Sequence, residues 1–161
     1  MLWRPISRED IINGLETAEH AGRLELDERQ RPRVLYDGAH NAAGARALRA
    51  YLDEFAPSGV TLVFGAMRDK ELEEIGRVLF PAARHLVLTR PESPRAATVE
   101  ELLRAVPVPP SSSTIALAPS SRDAMSIART HTPPGGVVCV TGSLYLVGEV
   151  KALLESNAGE S

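Results

Sequence analysis

The sequence predicts an α/β domain of three layers, in which a mainly parallel sheet of about six strands is covered by helices on both faces. Three observations carry this reading. Short apolar runs alternate with stretches whose apolar residues recur at helical spacing. The runs are nearly continuous in Val, Leu and Ile, as burial on both faces demands. The 161 residues, 43% apolar and 24% charged, suit one globular domain, which buries about 70% of its unfolded surface.

A first helix is predicted over 8–19. Ser7 caps it, Asp10 follows three residues on, and Ile11, Ile12, Leu15 and Ala18 form its apolar face. Two short strands follow, Arg23-Leu24-Glu25-Leu26 and Arg33-Val34-Leu35-Tyr36, joined by a polar turn and able to pair as a hairpin. Asn41 then caps a helix with Ala45, Leu48, Leu52 and Phe55 on one face. A strand over 60–64 ends at Gly65, and the next helix carries Leu72, Ile75, Val78 and Leu79. After a strand over 85–89, Thr98 and Glu101 form a capping-box pair for a helix bearing Leu102 and Leu103. The Pro/Ser stretch over 107–113 is read as loop. A strand over 114–117, a helix over 121–131, a Pro-Pro-Gly-Gly turn and a strand over 137–141 lead to a final helix from Ser143 to Leu154.

Composition excludes several classes. Collagen-like, disordered and disulfide-scaffold chains do not fit these proportions. A net charge of −3 gives no broad electrostatic case for nucleic acid. Cys139, the single cysteine, lies in an apolar run and points to a reducing compartment, the cytoplasm. No apolar run approaches the roughly 18 residues of a membrane span, and the first residues do not read as a secretory signal. There is no Walker-type phosphate loop, no G-x-G-x-x-G after a strand and no G-x-S-x-G elbow. Four dispersed histidines and one cysteine show no metal-ligand spacing, so no metal site is expected. The chain alone does not look like a complete enzyme.

In open α/β sheets, ligands bind at the carboxyl ends of the strands. Asp37-Gly38-Ala39-His40-Asn41 follows one strand and admits two readings. Asp37 accepts ribose hydroxyls while the capped helix offers amides to an anion and His40 positions it. Alternatively, Asp37 and Asn41 satisfy the loop and His40 is a spectator. At Thr141-Gly142-Ser143, Gly142 permits close backbone approach and Ser143 either caps the next helix only or also binds an anion. Arg68, Asp69 and Lys70 read as a solvated loop, with Asp69 a candidate cap for the following helix.

Asp37-Gly38-Ala39-His40-Asn41 and Thr141-Gly142-Ser143-Leu144-Tyr145-Leu146-Val147-Gly148, with Gly22-Arg23-Leu24-Glu25, the loop from Gly65 to Lys70, and Pro94-Arg95-Ala96, stand together in one order and spacing. On these residues the sequence resembles the C-terminal domain of folylpolyglutamate synthase/dihydrofolate synthase, within the Mur ligase superfamily. Ala42 stands where that family usually has proline, and Glu19-His20-Ala21 where Trp-Pro is common.

The resemblance implies a Rossmann-like C-terminal domain over 21–155, after a helix and linker over 1–20 and before a frayed tail over 156–161. It implies an ATP- and Mg2+-dependent ligase whose N-terminal P-loop domain, on the same polypeptide, holds most of the folate site. A carboxylate is activated as an acyl phosphate and the amino group of L-glutamate then attacks it. By carry-over, Arg23 reaches the ATP phosphates and Asp37 the ribose or adjacent groups. His40 holds the incoming glutamate or orients the closed site, and Gly142 and Ser143 line the same crevice. The expectation is an excised C-terminal domain, monomeric and inactive alone. Its alternatives are a non-catalytic Rossmann-like binding module and a cell-wall Mur-type ligase domain. Two further expectations concern exposure: that Arg23 is exposed in this domain, and that Asp37→Ala and His40→Ala impair activity without altering stability.

Overall fold

The computed structural model describes residues 23–106 and 114–159. The predicted helix over 8–19 and the loop over 107–113 lie outside the described residues. Six strands form one sheet: β1 (Glu25–Asp27), β2 (Arg33–Asp37), β3 (Val60–Phe64), β4 (Ala83–Thr89), β5 (Thr114–Ala118) and β6 (Val137–Thr141). Five helices connect them: α1 (Ala42–Phe55), α2 (Leu72–Leu79), α3 (Val99–Ala105), α4 (Ser121–His131) and α5 (Leu144–Ala158).

The strand order is β1-β2-β6-β3-β4-β5. β1 pairs antiparallel with β2, as the hairpin reading predicts, and every other pairing is parallel. The last strand therefore enters the middle of the sheet. Cys139 of β6 stands opposite Leu35 of β2 on one side and Leu62 of β3 on the other. β3 and β6 are buried along their whole length, whereas the edge strand β5 is partly exposed. That gradient is why the central strands are unbroken apolar runs.

Two cores sandwich the sheet. Leu35, Leu62, Phe64, Leu86, Leu88 and Cys139 point to one face, against Leu48 and Leu52 of α1, Ile75 and Leu79 of α2, and Leu102 of α3. Val34, Tyr36, Val63, Val87, Val138 and Val140 point to the other, against Met125 of α4 and Leu146, Val150 and Leu154 of α5. Alternate residues of each strand thus serve opposite cores. Among the described residues, no helix is long and apolar enough to cross a membrane.

Three predicted caps form. Asn41 Oδ1 accepts from the Gly44 amide at 2.7 Å, and Ser143 Oγ from the Leu146 amide at 3.0 Å. At α3, Thr98 and Glu101 complete a capping box, in which the Glu101 amide donates to Thr98 Oγ1 at 3.1 Å and the Thr98 amide to Glu101 Oε2 at 3.3 Å.

Three local readings differ from the structure. Asp69 does not cap α2: the N-cap position is Glu71, which makes no side-chain capping bond, and Asp69 instead pairs with Arg95 at 3.0 Å. β1 starts at Glu25, two residues later than predicted, because Leu24 has a φ of 47° and an extended strand cannot contain it. α5 runs to Ala158, into the segment read as a frayed tail from 156, and Leu154 in its last turns is 4% exposed against the second core.

Thr98→Ala removes the acceptor of the Glu101 amide. It is expected to lower stability by about 1 kcal/mol, seen as a lower urea midpoint with an unchanged m-value. An unmoved midpoint would mean the box contributes nothing to this fold.

Candidate functional site

The helix after β2 packs on one face of the sheet and the helix after the neighbouring β6 on the other. Their connecting loops therefore diverge at the carboxyl ends of these strands and leave a crevice. This is the switch-point position where open α/β sheets bind ligands. Asp37 and Thr141 stand opposite each other at its mouth. The amino ends of α1 and α5 both begin here. Asn41 and Ser143 cap their later amides, which leaves the first amides of each helix without intrahelical partners and facing the crevice with partial positive charge.

Asp37 is 4% exposed. Its Oδ1 accepts from the Ala39 amide at 2.9 Å and its Oδ2 from the Leu24 amide at 3.1 Å. Burial pushes its pKa up, opposed by those two amides and by the charges of Arg23 and His40. The sequence expectation that Asp37→Ala spares stability is therefore corrected. Removing the carboxylate strands two backbone amides, and an unpaired buried donor such as that of Ala39 costs about 1–3 kcal/mol.

Arg23, expected to be exposed, is half-buried and lies outside β1. The Leu24 bond draws it to Asp37. His40 is half-buried as well, and its Nδ1 lies 2.9 Å from the Gly38 carbonyl oxygen. A carbonyl only accepts, so Nδ1 carries the proton and Nε2 is the nitrogen left for a ligand.

Gly142 adopts a φ of 108°, and a Cβ there would collide with the Gly65 carbonyl oxygen. That contact is how the loops after β6 and β3 come together. Ser143 is 3% exposed and its oxygen is used in capping, so its hydroxyl hydrogen is what it offers the crevice. The structure thus brings Arg23, Asp37, His40, Gly142 and Ser143 to one place. Arg68 and Asp69 are engaged elsewhere: Arg68 pairs with Glu101 at 3.3 Å and Asp69 with Arg95 at 3.0 Å. Sequence reasoning missed Leu24, because nothing marks a leucine for a left-handed turn. A separate groove of about 510 Å³ lies between β1 and α5, where Glu25, Asp27 and Glu155 offset Arg29, Arg129 and Lys151.

Residues 22–144 match the model of the family described as Mur ligase, glutamate ligase domain. The dihydrofolate synthase/folylpolyglutamate synthase of Bacillus subtilis is 29% identical over 151 residues, covering 93% of this chain and 34% of that protein. Mycobacterium tuberculosis folylpolyglutamate synthase complexed with ADP has a TM-score of 0.72 at 33% identity, over 82% of this chain and 32% of that one. The bifunctional folylpolyglutamate synthase/dihydrofolate synthase of Yersinia pestis, complexed with AMPPNP and Mn ion, has a TM-score of 0.74 at 25% identity, over 94% of this chain and 35% of that one. The chain spans about a third of the length of these relatives.

Two outcomes follow from the site geometry. Gly142→Ala forces a Cβ onto backbone at a left-handed position and is expected to destabilise by more than about 2 kcal/mol in chemical denaturation. For Asp37, a folded-state pKa above its unfolded value means the folded protein binds its proton more readily. Stability from that proton is full below about pH 4 and is lost as pH rises through the folded pKa. Tm measured against pH should fall over that window in the wild type relative to Asp37→Asn, whose side chain does not titrate; parallel curves would contradict the assignment.

Proposed function

The chain belongs to the Mur ligase family of glutamate ligase domains, and we propose that it is the C-terminal domain of an ATP-dependent ligase that joins L-glutamate to a folate through an acyl phosphate. The observation that carries this is the convergence at one switch-point crevice of two helix amino ends, Arg23 and His40. Such a site suits polyanions. The relatives' names support this choice of substrates: a dihydrofolate synthase/folylpolyglutamate synthase in Bacillus subtilis and a folylpolyglutamate synthase complexed with ADP in Mycobacterium tuberculosis. They favour a folate over a cell-wall precursor.

In this reading a folate carboxylate attacks the γ-phosphorus of ATP and ADP leaves. The glutamate amine then attacks the acyl carbon, releasing phosphate and a proton. Arg23 meets charge developing on the phosphoryl oxygens, where a fixed guanidinium in a closed, water-poor crevice acts most strongly. The free Nε2 of His40 and the Ser143 hydroxyl, at the amino end of α5, orient the glutamate. Among the described residues no group of three or more His, Cys, Asp or Glu side chains comes together. The metal and the phosphate-binding loop are assigned to a preceding domain on the same polypeptide, and the isolated chain is inactive for want of them.

The test is made in the ligase polypeptide that carries this domain. Arg23→Lys keeps the charge but loses the planar fork that grips phosphate in two places. It should lower kcat by about tenfold or more, with folate KM changing less. Single-turnover formation of the acyl phosphate reads the effect directly. A wild-type rate in Arg23→Ala would remove Arg23 from the site.

A further inference from the structure

The amino end of α5 carries an apolar face that this domain does not cover. Five large apolar side chains are exposed among the described residues, and three of them, Leu24, Leu144 and Tyr145, gather at the mouth of the crevice. Leu24 and Leu144 both border Asp37-Gly38: the Leu24 amide donates to Asp37 Oδ2, and the Leu144 side chain fills the space a Gly38 Cβ would take. Tyr145, the most exposed of the five at 57%, is the next residue of the helix. Single exposed leucines are ordinary, whereas a cluster at the rim of a site marks a contact surface. A second observation falls on the same face. Gly148 lies one turn beyond Leu144 and Tyr145, exposed, inside a 15-residue helix. Glycine is among the poorest helix formers, and nothing within this domain calls for it. Its φ is not positive, and among the described residues no atom lies within 4 Å of where its Cβ would stand. Bare backbone beside an exposed leucine and tyrosine is what the close approach of another surface requires.

We propose that Leu144, Tyr145 and Gly148 form the seat of the preceding domain of the ligase polypeptide, which lands on this face of α5 when the crevice closes. The inference rests on the ligase reading above. Two facts favour that occupant over a second copy of the chain or a free protein. The chain spans about a third of the length of its relatives, so in such a ligase most of the polypeptide lies outside this domain. That polypeptide enters β1 through Arg23 and Leu24, at the same rim. A partner tethered there has a high effective concentration, so a face of a few residues suffices, where a free partner needs roughly 20–30 residues a side. Tyr145 suits the role, with a large apolar ring, a polar tip and little side-chain entropy to lose on contact.

The distinguishing experiment compares the chain by itself with the ligase polypeptide that carries it. Gly148→Leu points a side chain into open space, so the chain by itself should keep or raise its Tm. In the ligase the same leucine stands in the seat, and kcat/KM should fall by about tenfold or more, the effect of overpacking a fitted contact. Hydroxyl-radical footprinting reads the face directly. Oxidation of Tyr145 should be several-fold lower in the ligase with AMPPNP and tetrahydrofolate bound than in the chain by itself. A wild-type kcat/KM in Gly148→Leu, or Tyr145 oxidised equally in both proteins, would overturn the seat. So would protection of Tyr145 in the chain by itself, whether on adding AMPPNP, which gives the face to a ligand, or on raising protein concentration, which gives it to a second copy. Should Gly148→Leu lower the Tm of the chain by itself, the footprint of the wild type decides. A carrier polypeptide that forms no acyl phosphate would instead defeat the reading on which the proposal rests.

Discussion

The structure depends on the insertion of β6 between β2 and β3. This strand arrives last in the chain, is buried along its whole length, and supplies Cys139 to one core and Val138 and Val140 to the other. Its helix then leaves on the face opposite to those of its neighbours. That single reversal makes the crevice, since the loops on either side of it must part. It also brings α5 to point its amino end at the same space as α1. The steric demand at Gly142 is the local expression of the arrangement: the chain must turn away at once, past the Gly65 carbonyl, and only a residue without a side chain fits.

The electrostatics of the crevice are arranged on this frame. The first amides of two helices and Arg23 contribute positive potential, and Asp37, the one buried carboxylate among the described residues, has its cost of burial opposed by two backbone donors and by that arginine. The remaining polar side chains are held by their own backbone: His40 by the Gly38 carbonyl, Asn41 and Ser143 by the helices they cap. A site whose groups are fixed before a ligand arrives loses little to reorganisation when charge develops.

Much of this was legible in the sequence because it is local. The capping partners Asn41, Thr98 with Glu101, and Ser143 announce helix starts by side-chain chemistry alone, and all three caps form. The buried strands show as unbroken apolar runs. What local pattern does not contain is strand order, for nothing in Val137 to Thr141 says that its neighbours are β2 and β3. The hairpin that sets Leu24 beside Asp37 is legible, but the left-handed backbone of Leu24 is not, since its own chemistry disfavours it. Asp69 shows the opposite error: a plausible cap close at hand lost its residue to a distant partner, Arg95. The extra turn of α5 beyond Leu154 is polar in sequence and helical because the apolar face before it is docked.

The central position of β6 also bears on synthesis. Until residues 137–141 leave the ribosome, β2 and β3 have no shared neighbour, and both cores lack their middle row. The nascent segments from β1 to β5 then carry apolar strands with exposed edges, the kind of surface that chaperones cover and that aggregates when they do not. Pairing Val34 with Val138 closes most of the described chain into one loop. Completion of this domain is therefore a late and largely all-or-none event, and a truncation that removes β6 forfeits the fold rather than trimming it.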